Sequence, residues 1–211
     1  MNVYGYFYNR IINNIMINCR NILILSTSKI DTITTFQADV LIVMMNPGDS
    51  KPIDQSKIKL IDSTDDLFND FTNIFEAIAD KTQDVIIELM NKQNYNSAII
   101  INLSDIRNKD SSKFIKKINN INFDDTGSEH SIFDNSRKKE LNFILDRCKN
   151  KPIIMATGVD YKLRFLTAQA MSSLPRGSII GYTAEERYYH PSRMKNKWIV
   201  EITKQLQANK N

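Results

Sequence analysis

The stretch Ala38-Asp39-Val40-Leu41-Ile42-Val43-Met44-Met45, followed at once by Asn46-Pro47-Gly48, decides the fold. After Asp39 the run is apolar without a break. A strand covered on only one face alternates polar and apolar residues, whereas one covered on both faces has no reason to alternate. Continuous apolarity therefore predicts a central strand of a parallel sheet. Pro47 and Gly48 force a turn at its carboxyl end.

The same pattern recurs along the chain. Tyr95–Leu103 (YNSAIIINL) is a second buried strand, ending in the polar loop Ser104-Asp105-Ile106-Arg107. Pro152–Ala156 is a third, closing at Thr157-Gly158, and Ser178–Tyr182 is a fourth. Helical stretches separate them. Behind the N-cap candidates Asp62–Thr64, the residues Leu67, Phe68, Phe71, Ile74, Phe75 and Ile78 fall at helical spacing. Further helices are expected over Thr82–Asn91, Ser111–Ile118, Arg137–Lys149 and Tyr161–Met171. The closing helix, Met194–Gln207, turns Trp198, Ile199, Ile202 and Leu206 inward. Alternation of this kind predicts an α/β fold. The expected form is a three-layer α/β/α sandwich around a central, mostly parallel four-stranded sheet, occupying residues 38–211. Residues 1–37 form an N-terminal extension; Tyr4, Tyr6 and Tyr8 alternate and Ile22–Leu25 is apolar, so a hairpin leading into the core is expected. Asn119–Ser136 is a polar connection in which His130 is expected to face solvent.

Size and composition narrow the classes. The chain has 211 residues, 42% hydrophobic and 25% charged, which suits one globular domain. No apolar run reaches the roughly 18 residues that a membrane span needs, and Ile11–Met16 does not read as a signal peptide. Cys19 and Cys148 show no metal-ligand spacing. The expectation is a reduced, cytoplasmic setting without a metal, cofactor or membrane, and a monomer. The net charge of +4 permits a polyanionic partner without requiring one. There is no Walker loop, dinucleotide fingerprint or Gly-x-Ser-x-Gly elbow. With His130 and His190 the only histidines, neither a multi-histidine metal centre nor a zinc-deaminase pattern can be assembled.

Ligands of open α/β sheets bind at the carboxyl ends of the strands. The polar groups there are Asn46–Gly48, Asn102–Asp105 and Thr157-Gly158, and the fourth strand leads into Tyr188–Met194. Each has a plain reading of its own. Asn46-Pro47-Gly48 stops a strand, Ser192 caps the last helix, and the Asn102 amide caps a loop.

Taken together they resemble something more specific. Val43-Met44-Met45-Asn46-Pro47-Gly48 looks like the first motif of the mismatch-specific and single-strand-selective branches of the uracil-DNA-glycosylase superfamily. Tyr189-His190-Pro191-Ser192-Arg193 resembles the second motif of that superfamily. Ile99–Leu103 resembles the strand whose terminal asparagine reads a flipped base. The resemblance spans Ala38 to Gln207. Ile101–Arg107 is also similar to a segment of a bacterial and phage family of unassigned function, which opens on Met-Leu-Asn-Pro and closes on His-Pro-Leu.

The resemblance implies a glycosylase acting on DNA, single- or double-stranded, without a cofactor. Asn46 would position the attacking water, and His190 would donate to the base as negative charge develops on it. Pro47, Gly48, Asn102 and Ser104 would hold the base. Gly48 would leave space at the pyrimidine 5-position, so the expected substrate is uracil-like or a hypermodified base such as those of phage DNA. Ser192, Arg193, Met194, Lys195 and Lys197 would contact DNA, Met194 as the wedge. Two departures stand out. The loop Asp49–Lys57 has no aromatic residue to stack on the base, leaving Phe68 or Tyr188 as substitutes, and Glu185 and Glu186 sit where phosphate would pass. The alternatives are a catalytically silent nucleobase- or DNA-binding module and a hydrolase of free nucleotides.

Overall fold

A computed structural model describes residues 1–12, 14–121, 129–185 and 187–209. In chain order the strands and helices are β1 (Asn2–Ile12), β2 (Ile15–Ser26), β3 (Val40–Met44), β4 (Lys51–Pro52), β5 (Lys59–Leu60), α1 (Thr64–Asp70), β6 (Phe75–Ile78), α2 (Lys81–Gln93), β7 (Ser97–Asn102) and α3 (Ser111–Ile121). They continue with α4 (Lys138–Arg147), β8 (Ile153–Ala156), α5 (Arg164–Ser173), β9 (Ile179–Ile180), β10 (Thr183–Ala184), β11 (Arg187–Tyr188) and α6 (Lys195–Ala208).

The protein is mixed α/β, but its main sheet is not four-stranded. It runs β4-β6-β1-β2-β7-β3-β8-β9, with β5 added on β1, nine strands among the described residues. The four strands expected from their apolar runs are adjacent, β7-β3-β8-β9, and pair in parallel. The rest is mostly antiparallel. β1 and β2 form a long hairpin, and β2 pairs antiparallel with β7. The hairpin therefore continues the sheet at the edge that four parallel strands would have left open, where unpaired backbone groups invite a partner.

Strand periodicity divides the core between two faces. Leu41 and Val43 of β3, Ile99 and Ile101 of β7, and Ile153 and Met155 of β8 pack with residues of α1, α3, α4 and α5. Their neighbours Val40, Ile42, Met44, Ala98, Ile100, Ile154 and Ala156 pack with α2 and α6, where Trp198, Ile199, Ile202 and Leu206 are buried as expected. Among the described residues, no helix is long and apolar enough to cross a membrane.

Two expectations about local structure are corrected. The helix begun at Ser63 ends at Asp70, and Phe75–Ile78 is a strand paired with β1 and β4. Asp70 accepts bonds from Tyr6 Oη (2.9 Å), Lys59 Nζ (2.6 Å) and Asn73 Nδ2 (2.8 Å), which tie the chain back as it leaves the helix. His130 is buried, not solvent-exposed, and its Nδ1 pairs with Ser104 Oγ at 3.0 Å. The rest of the polar connection is partly outside the described residues.

Candidate active site

The parallel strands fix where a site can form. Following the chain, it enters at β3, moves to β7 on one side, then returns to β8 and β9 on the other. The crevice at the carboxyl ends of β3 and β8 is thus the point where strand order reverses, the usual ligand position in open α/β sheets. Met44 is level with Asn102 and with Ala156 across the ladders, so the three polar loops leave the sheet side by side.

A cavity of about 360 Å³ occupies this crevice, within the range of roughly 300–1,000 Å³ that holds small ligands. Asn46 and Gly48 enter from the β3 loop, Gly158 and Asp160 from the β8 loop, and His190, Ser192 and Arg193 from the loop before α6. Two of the elements expected to meet from opposite ends of the sequence do meet.

Each polar group has a defined state. Asn46 Nδ2 donates to the Asn108 carbonyl at 2.7 Å, and its Oδ1 has no hydrogen-bond partner among the described residues. The amide is thereby oriented with an acceptor left for a ligand or water. His190 Nδ1 accepts from the Ser192 backbone N–H at 3.3 Å and lies 2.8 Å from Ser192 Oγ. Since a backbone N–H can only donate, Nδ1 is unprotonated and the neutral ring carries its proton on Nε2. The ring meets the cavity, yet the surrounding protein removes enough water to push its pKa down to about 4, helped by Arg193 and opposed by Asp80. At neutral pH His190 is therefore an uncharged donor. Ser192 does not cap α6: that helix has Met194 at its N-cap and no side-chain cap bond. The Ser192 hydroxyl orients His190 instead.

The remaining sequence-derived candidates lie beneath the cavity or on its outer side. Asn102 and Ser104 are fully buried beneath the cavity and do not line it. With its amide turned to satisfy both neighbours, Asn102 donates to the Asn46 carbonyl at 3.1 Å and accepts from Arg20 Nη2 at 3.3 Å. Pro47 is also buried, its carbonyl accepting from Arg20 Nη1 at 3.1 Å. Arg20 of β2 thus supports the loop carrying Asn46, and burial pushes its pKa down to about 9. Ser104, bonded to His130 and to Ile106 N (3.2 Å), belongs to the same understructure. On the outer side, Lys197 is exposed, Met194 is half-buried, and Lys195 is engaged with Glu88 at 2.9 Å.

Gly48 differs from expectation. Its φ of +66° is a left-handed conformation, and the Asp80 carboxylate takes the volume where a Cβ would stand. The space beside Gly48 is filled, not open. Asp80 is one of the cavity residues that the sequence reading missed. It is the N-cap of α2, with Oδ1 accepting from Thr82 N at 2.8 Å and Gln83 completing a capping box. The Asp-x-x-Gln spacing signals such a cap, but nothing local says that the cap faces Gly48. Asn108, Lys109 and Asp160 were also missed; they line the cavity from loops whose course depends on long-range packing. Neither proposed stacking aromatic is present in it: Phe68 packs on Phe71, and Tyr188 lines a neighbouring cavity. Glu186 lies outside the described residues.

Below the loops, Arg137 makes an ion pair with Asp105 (2.7 Å) and another with Glu140 (2.7 Å), all three side chains being buried. Tyr8 Oη donates to Asp105 at 2.7 Å, and Asn21 Nδ2 donates to Glu140. Burial opposes the charge on Arg137, but the two carboxylates overcome it and hold the guanidinium protonated. This network anchors the Ser104–Asp105 loop from beneath. Among the described residues, no group of three or more His, Cys, Asp or Glu is placed to hold a metal ion.

No protein-family model matches the chain, and no curated protein or solved structure matches it.

Proposed function

We propose that the chain is a DNA glycosylase that hydrolyses the N-glycosidic bond of a damaged or 5-modified pyrimidine. The carrying observation is that Asn46 and His190, from opposite ends of the sequence, line one cavity at the strand switch point, each with its free polar atom defined. Cleavage of this bond builds positive charge on the sugar and negative charge on the departing base. Asn46 Oδ1 is an acceptor suited to orient a water for addition to the sugar carbon. His190 Nε2–H is a neutral donor suited to the oxygen of the leaving base, and one such donor in a dry site contributes about 3 kcal/mol.

On this reading the four parallel strands and the helices on their two faces are a three-layer glycosylase-like core, to which the β1–β2 hairpin is added. Asn102 acts through Asn46, holding its loop, rather than on the base. Arg193 and Lys197 meet phosphate. Asp80 fills the volume beside Gly48, so a 5-substituent would lie outside that volume, and one with a hydroxyl could donate to the carboxylate at its edge, which favours a hydroxymethylated pyrimidine over a methylated one. The enzyme would act as a monomer, in the cytoplasm, without a cofactor.

Among the described residues no Phe, Tyr or Trp lines the cavity, although bases are commonly held between such rings; this departure weighs on the glycosylase and on a silent nucleobase-binding module alike.

The test uses single- and double-stranded oligonucleotides carrying uracil, 5-hydroxymethyluracil, 5-hydroxymethylcytosine or its glucosylated form, treated with protein and then hot alkali. Strand scission at one modified base, lost with Asn46→Ala, is the expected result. Retained binding without scission on any substrate would overturn the glycosylase and leave the module.

A further inference from the structure

A second cavity, of about 900 Å³, lies beside the first, and both have Gly158 and Asp160 in their walls. Its rim is the turn that opens α5. Tyr161, in the cavity wall, is 63% exposed, and Phe165, next to the wall residue Arg164 but outside the wall itself, is 70% exposed. Single exposed hydrophobic residues need no explanation, but these two are organised by a third. The Arg164 guanidinium carbon lies 4.1 Å from the Tyr161 ring centroid and 4.3 Å from that of Phe165. One cation thus fixes two rings that remain open to solvent. Arg187, in the wall of the same cavity, is held by its own bond from Nη1 to the Val159 carbonyl at 3.0 Å.

We infer that this rim is a stacking platform for the nucleotides that flank the one held in the first cavity, and that the strand it takes is single. Exposed ring faces gain by stacking on planar bases, and every base offers such a face regardless of sequence. In a duplex both faces of each base are already covered, so only an unpaired or splayed strand can use the platform. The guanidinium of Arg164 supplies the positive charge that the strand's phosphates require, Arg187 being held in its pair with Glu185. Asp160 and Glu185 line the same cavity and confine those phosphates to the arginine side. Asp160 is occupied in capping, Oδ1 accepting from Lys162 N at 2.9 Å, and Glu185 pairs with Arg187. An acidic peptide would meet the same two carboxylates with nothing to stack. The inference rests on the nucleobase reading of the first cavity for its register, but not on any bond being broken.

The experiment is fluorescence anisotropy on the full chain with a labelled, unmodified oligothymidylate of about a dozen nucleotides, in the size range of single-strand sites. Tyr161→Leu and Phe165→Leu should each raise Kd by roughly tenfold, and Tyr161→Trp should restore binding. The matching duplex should compete at least about tenfold more weakly. Both positions are exposed, and an unchanged thermal melt would show that the fold is intact. Leucine variants that bind like the wild type, or a duplex or oligoglutamate peptide that competes as well as the strand, would overturn the platform. Loss of binding in these variants together with no scission on any modified oligonucleotide would leave the platform standing and remove the glycosylase.

Discussion

The Asp80 carboxylate occupies the space that any side chain on residue 48 would need, and its Oδ2 accepts from Asp49 N–H at 3.2 Å. The turn after β3 and the start of α2 are thereby fitted to each other through the absence of one methyl group.

Gly48→Ala carries two separable penalties. The left-handed backbone at φ +66° costs a non-glycine residue about 1–2 kcal/mol, and the overlap with Asp80 adds about 1–3 kcal/mol. Asp80→Ser keeps a capping oxygen for α2 while withdrawing the carboxylate. In that background Gly48→Ala should cost only the backbone part. Urea midpoints for the four proteins of this cycle give the answer; equal penalties in both backgrounds would mean that Asp80 does not constrain position 48.

The Arg137 network predicts an asymmetry between breaking and removing it. Arg137→Met strands two buried carboxylates and should cost about 3–5 kcal/mol. Adding Asp105→Asn and Glu140→Gln neutralises both while leaving acceptors for Tyr8 and Asn21, and should restore more than half of the loss. Chemical denaturation of the single and triple variants measures this. A loss below about 1 kcal/mol for Arg137→Met would show that the ion pairs are not what holds the loop.

His130 gives a pH dependence whose sign is fixed. Burial pushes its pKa from 6.5 down to about 4, with Arg137 acting in the same direction. The unfolded chain therefore binds a proton more readily than the folded one between these values. Stability is full above pH 6.5 and falls as the pH drops towards 4, by roughly 3 kcal/mol over the whole window for a shift of this size. His130→Gln should flatten that part of the profile. Denaturation midpoints at half-unit steps would reveal it, and a variant with the wild-type slope would assign the loss to other groups.

Legibility followed the range of the interactions. The strand β3 was plain because Val40–Met44 is buried on both faces and so apolar throughout. The same held for β7 and for β8, and their ends located the crevice. β6 was misread because Phe71, Ile74, Phe75 and Ile78 satisfy helical spacing by coincidence; pairing with β1, which decides the matter, is remote in sequence. The junction of β2 with β7 was hidden for the same reason. The burial of Arg137, Glu140 and Asp105 together was not legible, since charged side chains are seldom buried without partners that only the fold supplies. Within the candidate site, Asn46 and His190 were singled out by the resemblance of their motifs to a known family, whereas Asp80 was recognisable as a cap but not as a neighbour of Gly48.

His190 offers the sharpest prediction about chemistry, and it rests on the proposed function. A histidine acting as a charged acid near its ordinary pKa of 6.5 would lose activity as the pH rises through neutrality. With its pKa pushed down to about 4 and Nδ1 accepting from Ser192 N–H, His190 is instead neutral and unchanged in form from about pH 5 to pH 8. kcat/KM on the oligonucleotide identified by the scission assay should be level across that range and fall only as the pH approaches 4. Ser192→Ala removes the hydroxyl but keeps the backbone N–H that sets the tautomer, so it should lower kcat by less than His190→Ala, whose loss of one transition-state donor is worth about a hundredfold or more. A rate that declines steadily from pH 6 to pH 8 in the wild type would mean that His190 works as the imidazolium, and the neutral-donor assignment would fall with it.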